Sequence, residues 1–228
     1  MNQPSSHPLW LPETTLNQGY QIMGRFYKNM HYEPPTLLFR DLLEIKKIDT
    51  EIKRPQLEVI MMNPGSSFPY SLPHESSKGP AIERDCRAEV EETKGRFPTW
   101  PDNTQYQVMR VMSAVGIEFA RITNLSDACL SDQVSLKDFL QNNRLDFGHC
   151  LYERGDYELA EGAPVLCAWG VDDFLEQMIE KAISKIGARK MVGLLKPGQP
   201  FRYYHPFPRV DPTNRKIEWL ESVVKQLK

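Results

Sequence analysis

Apolar residues recur at helical spacing in several stretches of this chain and form short unbroken runs between them. After Pro34 and Pro35, a Thr36 cap followed by Leu37, Leu38, Leu42, Ile45 and Ile48 predicts a helix. The run over 57–62 predicts the first core strand. A helix then starts at Asp102 or Asn103, carries Val108, Val111, Met112 and Val115 on one face, and stops at Gly116. A second strand is expected over 119–125, a short helix over 135–142, and a third, fully buried strand over 165–169. Gly170 opens an amphipathic helix with Leu175, Met178, Ile179, Ala182, Ile183 and Ile186 on one side and Gly187 as its stop. Short strands over 190–195 and 202–204, joined across Pro197-Gly198, and a closing helix over 214–227 complete the pattern.

Strands alternating with helices predict an α/β fold, a three-layer α/β/α sandwich around a central, mainly parallel four-stranded sheet. Residues 1–34 are rich in Pro, Asn and Gln and show no sustained period. Residues 1–54 are therefore expected to form an N-terminal arm and helix packed on the core, and 55–228 the α/β domain. Prolines at 69, 73, 80, 98 and 101 break 66–101 into loops, with a short helix expected around 82–93. No internal repeat or low-complexity tract is present.

At 228 residues the chain can bury a substantial core. The net charge of −2 conceals a segregation: from Lys181 onward there are 11 Lys/Arg against 3 Asp/Glu, a balance of +8, and 1–180 carries −10. Such a division can give one face a positive field that suits a polyanion; the plain alternative is a solvated surface. Cys86, Cys129, Cys150 and Cys167 fit no metal-ligand or disulfide spacing, so reduced thiols and no metal or organic cofactor are expected. There is no basic stretch leading into an apolar run at the start, and no segment has the roughly 20 apolar residues of a membrane helix. A cytoplasmic protein without a membrane partner is the expectation.

Two proline-bound motifs carry the candidate chemistry: Met62-Asn63-Pro64-Gly65 directly after the first strand, and His205-Pro206-Phe207-Pro208-Arg209 directly after the last. A strand that stops at a rigid turn holds one polar side chain at the carboxyl edge of the sheet, where open α/β sheets build their sites. The Asn63 carboxamide can orient a water without being a strong base. Asn124, at the end of the second strand, offers both donor and acceptor and could read a pyrimidine edge. A ring N–H of His205 can stabilise negative charge on a departing group, and Arg209 can hold a phosphate. Each motif also has an ordinary structural reading: Asn-Pro-Gly as a turn, Asn124 as an Asx turn into Ser126-Asp127, and His205 as a turn histidine.

In their order along the chain, Met-Asn-Pro-Gly, Thr123-Asn124-Leu125, Leu166-Cys167-Ala168-Trp169-Gly170 and His-Pro-Phe-Pro-Arg resemble the landmarks of the uracil-DNA glycosylase superfamily. The front motif is similar to the Asn-Pro-Gly form of the mismatch-specific and single-strand-selective branches, and the back motif to a His-Pro-Ser-Pro form. Arg209 with Asn214 and Trp219 is similar to the single-strand-selective branch. The chain is also similar to a bacterial family catalogued as a domain of unknown function, with shared Asn-Leu, Trp-Gly and Gly-Gln-Pro landmarks, the last at Gly198-Gln199-Pro200.

The resemblance, covering roughly 55–225, implies that Asn63 orients the attacking water, Asn124 reads the base and His205 stabilises the leaving base anion. Phe68 or Tyr70 is the candidate to stack on the flipped base. Lys190, Lys196, Arg202 and Arg209, joined by Gly65, Ser66, Pro206 and Phe207, are the candidate DNA-contact residues. Phe207 stands where that form has a small Ser, and 66–101 is long and rich in small polar residues: it reads either as a wall with room for a bulky 5-substituent or as an ordinary surface loop, and the implied target is a deaminated or 5-modified pyrimidine. The implied activity is that of a monofunctional DNA glycosylase on single- or double-stranded DNA; no Lys in the front motif offers a Schiff base. A monomer with no obligate protein partner is expected. A non-catalytic reader of modified or single-stranded DNA and a nucleoside or nucleotide hydrolase are the two competing readings.

Overall fold

The structure, a computed structural model, describes residues 7–28, 32, 37–70, 95–143, 148–155, 157–207 and 212–228, with the side chains of 28, 154 and 212–214 outside the description. Helix α1 (Glu13–Gly19) runs straight into strand β1 (Tyr20–Lys28), which pairs antiparallel with β2 (Leu38–Lys47). The stretch predicted as a helix is thus a strand. Its apolar spacing is compatible with a helix, but Leu38, Phe39, Arg40, Leu42, Leu43, Glu44 and Ile45 are all buried. A strand covered on both faces loses the two-residue alternation that would have revealed it.

Strand β3 (Leu57–Met61) follows, then β4 (Arg96–Pro98), helix α2 (Asn103–Val115) and β5 (Phe119–Asn124). Helices α3 (Gln133–Asn142) and α4 (Leu151–Arg154) lead to β6 (Val165–Ala168). A 3₁₀ turn (Asp173–Leu175) opens α5 (Glu176–Ile186), and β7 (Met191–Val192) and α6 (Pro212–Leu227) close the chain. One seven-stranded sheet results, in the order β4-β1-β2-β5-β3-β6-β7. The expected four-stranded, mainly parallel sheet is corrected to a mixed one: β5-β3-β6-β7 are parallel, while β4, β1 and β2 add an antiparallel half. Those three strands come from stretches read as arm, helix and loop. The predicted strand over 202–204 reduces to isolated bridges from Tyr203 to Gly170 and Leu195, and the helix expected over 82–93 lies outside the described residues.

Pleating sends Leu57, Val59 and Met61 of β3 to one face, where Leu16 of α1, Val108 and Met112 of α2 and Trp219 and Val223 of α6 cover them. Ile60, with Val165 and Cys167 of β6, meets Leu151 of α4 and Met178, Ile179 and Ala182 of α5 on the other face. Deleting any one of these buried branched side chains to Ala costs about 2–5 kcal/mol. Glu58 is fully buried within this core. It holds Arg121 in an ion pair and accepts from Tyr157 Oη at 2.8 Å and the Ala160 N–H at 2.7 Å. Among the described residues no helix is long and apolar enough to cross a membrane.

Candidate active site

The carboxyl ends of β3 and β6 open into a cavity of about 530 Å³, closed by the start of α2, the segment before α3, and residues 204–207. Asn63 enters it from the turn after β3, and His205 from the segment ahead of α6. Two sequence motifs 142 positions apart therefore face one space. Gly65, Ser66, Lys196 and Phe207 line the same cavity.

Asn63 is oriented by backbone carbonyls. Its Nδ2 donates to Ala128 O at 3.2 Å and to Leu130 O at 2.7 Å, which consumes both amide protons and identifies which end of the carboxamide is nitrogen. The remaining oxygen can only accept. Gly65 turns the chain with φ of 64°, which favours glycine, and a Cβ there would stand a close 3.1 Å from Asp102 Oδ2.

His205 is delivered by a pinned segment. The Gly170 N–H donates to Tyr203 O at 2.9 Å, the Tyr204 N–H to Leu194 O at 2.8 Å, and Trp219 Nε1 to Tyr204 O at 3.2 Å. The Phe207 N–H then donates to His205 Nδ1 at 3.2 Å. With Nδ1 accepting, the neutral ring carries its proton on Nε2.

Other candidates from the sequence lie elsewhere. Phe68 packs with Phe26, Leu38, Phe97 and Cys129 in an apolar cluster. Tyr70, half exposed, rests on Trp100 with ring centroids 4.2 Å apart and borders a different cavity. Asn124 is fully buried, its Nδ2 3.4 Å from Arg40 O, and does not line the cavity. Lys190 sits at the amino end of the parallel strands, where its carbonyl receives the Val165 N–H and its Nζ donates to Gln226 O at 2.6 Å. Arg202 is engaged by Glu176 at 3.2 Å and Asp173 at 3.6 Å. Pro206 is buried, its carbonyl accepting from Gln107 Nε2 at 3.3 Å. Arg209 and the Asn214 side chain lie outside the described residues, as do 71–94.

Several residues at the site were not foreseen. Asp102, Asp132 and Asp172 border the cavity together with Arg215 of α6. Asp102, which the sequence marks as a helix start, makes with Gln105 a reciprocal capping box at α2, and the spacing Asp-x-x-Gln signals it. Beneath the Asn63 turn lies Arg40, fully buried, with Nη1 3.3 Å from Ser67 O and, among the described residues, no hydrogen-bond partner at Nε or Nη2. Burial pushes its guanidinium pKa down, opposed by Cys129, Asp102, Asp127 and Asp41. Among the described residues no three His, Cys, Asp or Glu side chains are grouped to hold a metal ion.

No family model matches the chain, and neither a curated protein nor a solved structure matches it.

Proposed function

We propose that the protein is a monofunctional DNA glycosylase that hydrolyses the N-glycosidic bond of a deaminated or 5-modified pyrimidine. One observation carries this reading: an Asn63 carboxamide anchored through its nitrogen and a His205 ring whose Nδ1 accepts from the Phe207 N–H line the same cavity. That pair matches what base hydrolysis requires. Asn63 Oδ1 accepts a hydrogen bond from a water and holds it for attack at the anomeric carbon. His205 Nε2–H donates to the carbonyl oxygen of the base as the glycosidic electron pair moves onto it. The target base reaches the cavity after leaving the stack.

The test is incubation with oligonucleotides carrying a panel of deaminated and 5-substituted pyrimidines, reading released base by mass spectrometry and abasic sites by alkali cleavage. Release of one class of base supports the reading, and a panel left intact rejects it. A second reading is favoured by the cavity's charge: three carboxylates border it against two cations, Lys196 and Arg215. Such a rim also suits the hydroxyls of an uncharged nucleoside, making a nucleoside hydrolase the alternative; turnover of free nucleosides in preference to oligonucleotides would select it.

A further inference from the structure

The carboxylates at the cavity are not equivalent. Asp102 accepts from the Thr104 N–H at 2.8 Å and the Gln105 N–H at 3.2 Å, and so caps α2. Asp132 accepts from the Ser135 N–H at 2.8 Å and from Ser135 Oγ at 2.6 Å, and so caps α3. Asp172 occupies the corresponding position before the 173–175 turn but makes no capping bond. The nearby guanidinium of Arg202 is directed to Asp173 and Glu176 instead. Asp172 thus borders the cavity half-buried, with its carboxylate committed to no helix and no ion pair among the described residues.

Its position is tied to the front motif. A Cβ on Gly170 would lie 3.8 Å from Asp172 Oδ2 and 2.9 Å from Met62 Cε. The Asp172 carboxylate and the tip of the Met62 side chain thus both lie close to Gly170, and Asp172 and Asn63 line the same cavity. Gly170, with φ of 99°, is what lets the chain pass this closely.

We propose that Asp172 is the general base of the reaction, an inference that rests on the glycosylase reading. The water held by Asn63 Oδ1 forms its bond to the anomeric carbon. The carbon–nitrogen bond breaks with its electron pair leaving on the base, and the water's proton passes to a carboxylate oxygen of Asp172. The base departs as an anion facing His205 Nε2–H and is protonated afterwards by the acid form of Asp172 or by solvent. Asn63 alone can orient the water but cannot take its proton. A carboxylate in this place lets the enzyme act on bases that are poor leaving groups, as uracil is beside 5-fluorouracil.

The experiment is single-turnover base release by the full chain from oligonucleotides containing the base identified in the panel assay. Wild type is compared with Asp172→Asn, Asp172→Ala and Asp172→Ala with added formate, and Asp173→Asn serves as a neighbouring exposed control. The expected result is a loss of about 10²–10⁴-fold for both Asp172 variants. Formate should return part of the rate to the Ala variant, with wild-type urea midpoints and DNA affinity in each. A purely structural aspartate would not respond to formate. Asp172→Asn turning over at the wild-type rate, or a slow Ala variant that formate leaves unchanged, overturns the assignment while base release by wild type keeps the glycosylase reading. Wild type releasing no base from any oligonucleotide overturns both.

Discussion

The backbone N–H of Phe207 donates to Nδ1 of His205 at 3.2 Å, and this local contact decides which nitrogen of the ring is a donor. Removing the ring removes a preorganised donor from the place where charge develops. His205→Ala is expected to slow base release by about 10²–10³-fold with little change in DNA affinity. Single-turnover rates beside equilibrium binding separate the two; a loss confined to affinity would make His205 a DNA-contact residue.

Asn63 is anchored through nitrogen and acts through oxygen. Asn63→Ala should remove most turnover and leave the urea midpoint close to wild type. Asn63→Asp should do further damage, because a carboxylate oxygen would face the carbonyls of Ala128 and Leu130 where an amide now donates. A stability loss of about 1–3 kcal/mol, beyond that of the Ala variant, is expected from urea unfolding.

The cationic candidates divide by position. Lys196 and Arg215 line the cavity, whereas Lys190 lies at the other end of the parallel strands. Charge reversal at Lys196 or Arg215 should weaken binding to every DNA sequence and flatten the salt slope by about one unit per lost contact. Lys190→Glu should keep the wild-type slope, and titrations at several salt concentrations compare them directly.

Glu58 is fully buried and meets Arg121, Tyr157 and Ala160 at once. Truncating it strands Arg121 against the core. Glu58→Ala is expected to cost about 3–5 kcal/mol in urea unfolding. Base release per folded molecule should stay near wild type, since Glu58 does not line the cavity.

Three thiols give a pH dependence with a definite sign. Burial pushes Cys129 up to about 12 and Cys150 up to about 11 from an ordinary value of 9.0, and pushes Cys167 higher still. The folded state thus holds these protons after the unfolded chain has released them. Their contribution to stability is fully present below pH 9 and is lost as pH rises through 11 and 12. Urea midpoints should fall across that window, and maleimide at pH 7 should label these cysteines only in denaturant.

The parallel half of the sheet was legible because three of its four strands, β3, β5 and β6, end at a sharp signal: Asn63-Pro64-Gly65, Asn124 and Trp169-Gly170 respectively. Asn63 and His205 could be paired from sequence for the same reason, since both follow extended runs that stop at proline. The antiparallel half was hidden. β2 is largely buried on both faces, and the charged side chains within it, Arg40, Asp41 and Glu44, sit at positions that a helix would also tolerate. Phe68 and Tyr70 follow the front motif closely in sequence, but β4 and the Thr99 segment draw that stretch aside. The Tyr70 N–H donates to Pro98 O and the Trp100 N–H to Phe68 O, each at 2.9 Å. Asp172 carries no local signature, because its importance arises only when β6 is laid beside β3.

The contact of β2 with β5 is the seam where the sheet changes from antiparallel to parallel, and it runs from Lys46 opposite Phe119 to Leu43 opposite Ile122. Beyond it, the Arg40 N–H reaches Asp127 O at 2.8 Å and the Cys129 N–H reaches Leu38 O at 2.9 Å. The early part of the chain is thereby structural material for the Asn63 turn, supplying both the flank of β5 and the guanidinium under Ser67. A fragment beginning at residue 55 would expose β5 as a raw, adhesive border and leave the site's floor hollow. One hydrogen-bonded sheet runs through both halves of this molecule, and the parallel strands share its seam with β2.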